Sequence, residues 1–430
     1  MYSSSATYIS ILVLAFVSLS IAACDSGGIS EEASGETGVT LAPEPAVEFQ
    51  VNDISVVVDS SGQLTEMTWN SVDGEANLAF QAGLWLAAVQ DGTPRANLAW
   101  VGTYPRTNYA ASWGGKRSGV FLVDPNTLRE GDWPTEFGAP VDSDGNPQIF
   151  GDGMTWSVLG SRAVHEETVL AQPLQDVLVR QSVYAYQNAD LNDVLFVRYE
   201  IENHSASTLN DVYVGFHADT DLEYGQASSA DECESRAFTN NTAYDRFRAL
   251  SYTYDYDRAA ADQTAASNGT TSACSVTVAG LTFLASPTGT SPDDVVTSHR
   301  IMRKNDYADP DFGEKGLTSP EHVLNALKGL SNSGSPMVDP ITGEETMYAF
   351  TGNPMTGTGW LDVPGGIDVR SLLTSGPFTV DPGDSEVLVV AVSAQSGATL
   401  STAVKSLKSQ VDRLHGAPEL WKFADLDQRK

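Results

Sequence analysis

The sequence predicts a mainly β fold: an antiparallel β-sandwich, built as one large domain or as two packed ones. Three observations predict it. Apolar residues recur at every second position along much of the chain, turn-forming residues interrupt those runs at short intervals, and only two stretches carry helical periodicity. With 430 residues, 41% hydrophobic and 9% aromatic, the chain can bury a sizeable core without staples.

The first segment stands outside that fold. Tyr8 to Ala23 is a largely apolar run of about 16 residues, shorter than the roughly 20 that span a bilayer as a helix and ending in small residues. Residues 1–23 therefore read as a signal peptide, although the opening MYSSSATYIS carries no Lys or Arg. Residues 25–46 (DSGGISEEASGETGVTLAPEPA) lack apolar periodicity and read as a disordered tether. Residues 47–430 form the expected globular body.

Within the body, Ile54, Val56 and Val58 alternate before the turn Ser60-Ser61-Gly62, and Leu64 to Trp69 follows. Leu84 to Val89 is a strand, with Asp91-Gly92 turning the chain towards Leu98 to Val101. Val177 to Tyr184 is another. Leu195, Val197, Tyr199 and Ile201 share one strand face; Val212, Val214 and Phe216 share one face of the next. Leu281 to Leu284 follows. Glu386 to Ala394 is almost continuously apolar, as expected of a central strand covered on both sides. Ser319-Pro320-Glu321 is a helix start, predicting a short helix near 319–328 that Gly329 ends. Leu400, Val404, Leu407, Val411 and Leu414 recur at three and four residues, predicting an amphipathic helix near 399–415 that packs on a sheet. The polar stretch 228–275 reads as an insertion loop or a domain boundary.

The 56 acidic residues against 24 basic ones give a net charge of −32. Such a surface repels nucleic acid, which excludes a nucleic-acid partner, and it suits cations. On the strand ending at Asp221, His217, Asp219 and Asp221 alternate onto one face, and Asp255 and Asp257 share a face in YTYDYD. These four carboxylates are the candidate ligands for calcium, which takes six to eight oxygens; solvated surface acids are the competing reading. Asp142-Ser143-Asp144-Gly145-Asn146 resembles the start of a calcium loop, but Gly153 stands where an EF-hand places its bidentate Glu. Of the three cysteines, Cys24 ends the leader. Cys233 and Cys274 could close a disulfide loop of about 40 residues in an oxidising compartment, or be two unrelated thiols. There is no HExxH or Gly-x-Ser-x-Gly motif, and the acids are too many to single out a hydrolase pair.

Two resemblances bear on location. Ile21-Ala22-Ala23-Cys24 resembles the lipobox of bacterial lipoproteins, which implies a lipid anchor on Cys24 once the leader is cut. A series of phrases resembles an uncharacterised family of secreted β-rich proteins from Bacteroidota-like bacteria. They are Ala82-Gly83-Leu84-Trp85-Leu86, Ala110-Ala111-Ser112-Trp113-Gly114-Gly115, Asp132-Trp133-Pro134 and Glu136-Phe137-Gly138-Ala139-Pro140-Val141. Further on come Asp211-Val212-Tyr213-Val214-Gly215, Asp219-Thr220-Asp221, Tyr254-Asp255-Tyr256-Asp257, Thr356-Gly357-Thr358-Gly359-Trp360-Leu361-Asp362, Gly376-Pro377-Phe378 and Pro382-Gly383-Asp384-Ser385. The family often carries a carboxyl-terminal sorting domain for type IX secretion; none is read here, and the expectation is that the lipid anchor takes its place. No activity attaches to these phrases.

The expectation is an exported, membrane-anchored lipoprotein of the outer membrane or cell surface. Its β-sandwich body binds or scaffolds an extracellular protein or glycan without catalysis, with calcium as a structural ion. The alternative is a surface carbohydrate-binding or glycoside hydrolase-like protein, with tryptophan faces stacking on sugar rings.

Overall fold

The computed structural model describes residues 44–71, 74–99, 119–123, 133–161, 172–224, 240–255, 275–303, 311–362 and 369–423, with the backbone of 109–110, 112–113 and 116–117. Along the chain the main strands are β1 (Ala46–Gln50), β2 (Ile54–Asp59), β3 (Gln63–Ser71), β4 (Gly74–Gln90), β5 (Thr93–Leu98), β6 (Val120–Val123), β7 (Gly153–Ser161) and β8 (Val177–Ala185). They continue with β9 (Val194–Asn203), β10 (Leu209–Asp219), β11 (Asn240–Asp245), β12 (Leu250–Asp255), β13 (Val276–Ala285), β14 (Ser298–Arg303), β15 (Val369–Val380) and β16 (Ser385–Gly397). Helices are α1 (Pro292–Val295), α2 (Pro320–Leu327) and α3 (Leu400–Gly416). None of the described helices is long and apolar enough to cross a membrane.

The strands form two antiparallel sheets. The first runs β1-β2-β3-β4-β10-β15-β14, with β5 and Glu223–Tyr224 also pairing with β4. The second runs β11-β12-β13-β16-β9-β8-β7, with β6 and Tyr109–Ala110 both pairing with β7. Their inner faces meet in one apolar core, as a sandwich requires. The first sheet contributes Ile54, Val56, Val58, Val214 and Phe216, and the second contributes Val179, Val197, Tyr199 and Val390. Alternation decides which side chains enter it. In β16, Leu388, Val390 and Val392 face the core, while Val389 and Ala391 join a second cluster on the outer face, so this central strand is covered on both sides.

Each sheet is also roofed by a helix. Ser319 caps α2 by accepting from the His322 N–H (3.2 Å), and Val323, Leu324 and Leu327 pack on Trp85, Leu98, Met302 and Leu372 of the first sheet. Thr399 and Thr402 exchange side-chain-to-backbone hydrogen bonds in a capping box at the start of α3 (3.0 and 3.1 Å). Its stripe of Leu400, Val404, Leu407 and Val411 packs on Leu250, Tyr252, Val276 and Val278 of the second sheet. A glycine lies under each helix. A Cβ on Gly215 would come within 2.7 Å of Leu327, and one on Gly280 within 2.9 Å of Leu407. The missing side chains let helix and sheet approach closely.

β11 is an edge strand of the second sheet. Two of its outward N–H groups are nevertheless taken: Thr242 donates to the Asp362 carboxylate (3.1 Å) and Tyr244 donates to the Phe350 carbonyl (2.9 Å). The strand pair β11–β12 lies inside the stretch that the sequence marks as an insertion loop or boundary.

Candidate functional site

Of the four sequence-predicted acids, Asp219, Asp221 and Asp255 lie among the described residues. Asp219 ends β10 on its outer face and accepts a hydrogen bond from Arg370 Nη2 (3.0 Å). The same guanidinium reaches Glu314 through Nη1 (3.1 Å), and Glu314 Oε1 lies 3.0 Å from His217 Nε2. Trp85 stacks on the His217 ring at 4.6 Å and 7°. All four ionisable residues are buried. Burial pushes the His217 pKa below its ordinary value, against the pull of the Glu314 carboxylate, so the ring is favoured neutral. Asp219 is thus committed to an arginine, and the cluster locks the Glu314 segment onto the first sheet. Sequence reading placed His217 and Asp219 together but could not supply Glu314 and Arg370, which lie 97 and 151 positions from their partners.

Asp221 lies just beyond β10 and is half-buried, and Asp255 is buried at the end of β12. A hydrogen bond between the Thr220 and Thr253 hydroxyls (2.9 Å) ties these strand ends together, so Asp219, Asp221 and Asp255 share one end of the sandwich. Asp257, Cys24, Cys233 and Cys274 lie outside the described residues. Among the described residues, no group of three or more His, Cys, Asp or Glu side chains is placed to hold a metal ion. Asp142 forms a closed turn. Hydrogen bonds from Asn146 hold its carboxyl below the usual carboxylate range.

Among the described residues, the arrangement best suited to a ligand is a cleft of about 540 Å³ at the β11–β12 turn, within the size range of small-molecule sites. Two of its lining residues, Tyr244 and Tyr348, belong to a column of rings. Buried His299 stacks on Tyr244 (4.6 Å, 11°), and Tyr244 stacks on half-buried Tyr348 (5.4 Å, 3°). The Arg246 guanidinium sits 4.9 Å from the Tyr348 centroid. The column starts from a fixed base. His299 Nδ1 donates to the Ala349 carbonyl (2.9 Å), which leaves Nε2 to accept from the Ser251 hydroxyl (3.0 Å). Burial pushes the His299 pKa down to about 4, so the ring is neutral at ordinary pH. Tyr348 is anchored at its far end, where its hydroxyl donates to the Val296 carbonyl (3.2 Å).

The turn itself is short and held at both ends. Asp245 accepts from the Phe247 N–H (3.2 Å), and Ala249 closes the single 3₁₀ turn with φ +50°. Arg246, Phe247 and Arg248 therefore project from a rigid tip, and Phe247 is 83% exposed. Arg248 grips Asp412 of α3 through two nitrogens (2.8 and 2.9 Å) and Asp245 through a third (3.1 Å). Lys408 of α3 also reaches Asp245 (2.8 Å) and lies over the Tyr252 ring at 5.6 Å. Thr346, Thr351 and Asn353 complete the lining with polar groups. Aromatic faces, hydrogen-bonding groups and fixed cations around a cleft can hold a flat-faced, polyhydroxylated molecule. Asp245, the carboxylate of the lining, is engaged by Arg248 and Lys408. A second, smaller cleft of about 250 Å³ lies between Asn188–Leu191 and the carboxyl end of α3. Sequence reasoning missed the main cleft. The available signal was Asp245-Arg246-Phe247-Arg248, two of only 24 cations flanking an aromatic ring in an acidic chain.

No family model and no curated protein matches the sequence. Among solved structures the chain is similar to a putative aldose 1-epimerase from Escherichia coli K12, at 11% identity and TM-score 0.33 over 81% of this chain and 98% of the other. It is also similar to a putative kojibiose phosphorylase from the human microbiome, at 6% identity and TM-score 0.33 over 89% and 38% of the two chains. A third is the GH36 α-galactosidase AgaA from Geobacillus stearothermophilus, at 9% identity and TM-score 0.33 over 86% and 42%. The chain spans less than half the length of the latter two. Overlaps this weak carry no inference about its fold or activity.

Proposed function

We propose that the protein is an exported lipoprotein, anchored through Cys24, whose β-sandwich body binds an extracellular saccharide in the cleft at the β11–β12 turn without chemically altering it. One observation carries the binding half: the exposed ring of Phe247 and the half-buried ring of Tyr348 border a single cleft whose other walls offer guanidinium, ammonium, amide and hydroxyl groups. Apolar sugar faces stack on such rings, and sugar hydroxyls need the surrounding donors and acceptors. Binding is favoured over hydrolysis because Asp245 is neutralised by two cations, whereas glycoside hydrolysis runs on a proton-donating carboxylic acid facing a second carboxylate.

The test is calorimetric titration of the mature chain in detergent with a panel of extracellular oligosaccharides. A member of the panel binds, and Phe247→Ala and Tyr348→Ala each weaken it tenfold or more, while the saccharide is recovered unchanged. Failure of every saccharide, or binding indifferent to both substitutions, refutes the assignment. A protein partner is the second reading. Val338, Ile341 and Met347 are exposed on the neighbouring Met337–Met347 segment and would extend an apolar rim beyond Phe247.

A further inference from the structure

We infer that the saccharide taken by this cleft is acidic, its carboxylate or sulfate pairing with Arg246. This rests on the cleft being a saccharide site. The cleft is locally cationic on a chain that carries −32 overall. Arg246, Arg248 and Lys408 face it, against Asp245 and, behind Arg248, Asp412. The three cations are not equivalent. Arg248 is saturated by Asp245 and Asp412, and Lys408 is held by Asp245. Arg246 is exposed, no carboxylate of the described residues pairs with it, and its guanidinium lies over the Tyr348 ring.

Arg246 thus presents a guanidinium at the cleft that no carboxylate of the described residues competes for. Its planar fork matches the two oxygens of a carboxylate or sulfate, and Tyr348 beneath it limits the rotamer freedom lost on pairing. The neighbouring ring of Phe247, 83% exposed, supplies the sugar-face contact, with the edge of Tyr348 beside it. Acid and ring recognition therefore lie side by side, as a uronate or a sulfated sugar presents them. The overall negative field repels free polyanions, so a ring contact has to accompany the ion pair.

The experiment compares acidic oligosaccharides (galacturonate, alginate, chondroitin sulfate and heparin fragments) with their carboxyl-reduced or desulfated counterparts, by calorimetry on the mature chain. At least one acidic member is expected to bind tenfold or more tighter than its neutral counterpart. Arg246→Gln is expected to bring that ratio to about one, and Arg246→Lys to keep part of it, with the melting midpoint of both variants unchanged. Neutral counterparts binding as tightly as the acids would overturn the inference while leaving saccharide binding in place. An acid preference that survives Arg246→Gln would also overturn it. If neither set binds, the saccharide reading itself fails.

Discussion

At the scale of single residues, the protein invests unusual polarity in its interior. His299 is fully buried between the sheets, and burial pushes its pKa down to about 4 from 6.5. His217 and His415 are shifted the same way, chiefly by burial. In the pH range between the two values for His299, the unfolded chain holds a proton that the folded chain refuses. Stability is therefore complete above about 6.5 and is lost as the pH falls towards 4, by up to about 3 kcal/mol from His299 alone. Urea unfolding at pH 7 and pH 4.5 should show this loss, and His299→Gln should reduce it even though the variant starts less stable. A variant with the same pH slope as the parent would mean that the ring is not held neutral between Tyr244 and Ser251.

At the scale of elements, the two roofing helices depend on side chains that are absent from the strands below. Gly280 faces Leu407 and Leu250 at distances that leave no room for a Cβ. Gly280→Val should cost about 1–3 kcal/mol through overpacking and lower the melting midpoint by a few degrees. An unaltered midpoint would mean that α3 does not seat on β13 as described. The same elements show what the sequence discloses. Strand faces such as Leu195-Val197-Tyr199-Ile201 are legible because alternation is a local property. The starts of α2 and α3 are legible because a cap and an apolar stripe lie within a few residues. The cleft is assembled from residues 244–252, 346–353 and 408, and no local pattern links them. The Asp219–Arg370 pair is hidden for the same reason: charge type is visible in the sequence, but the partner across the sheet is not.

At the scale of the whole molecule, placement and recognition fall to different parts of the chain in the proposed role. Placement rests on Cys24, and Cys24→Ala should move the protein from the membrane pellet to the soluble fraction after cell lysis, with loss of incorporated radiolabelled fatty acid. Retention of both pellet and label would remove the anchor from the proposal. Recognition rests on the β11–β12 turn, which Arg248 and Lys408 fasten to α3.

The edge strand β11 has a further consequence for life at high density. Unguarded sheet margins recruit identical neighbours, and proteins tethered to one surface meet their copies constantly. Because Thr242 and Tyr244 already donate within their own chain, a visiting strand finds two of the donors of this margin taken. Under the anchoring proposed above, crowded copies would meet along a partly guarded margin, with the β11–β12 turn left open to the medium.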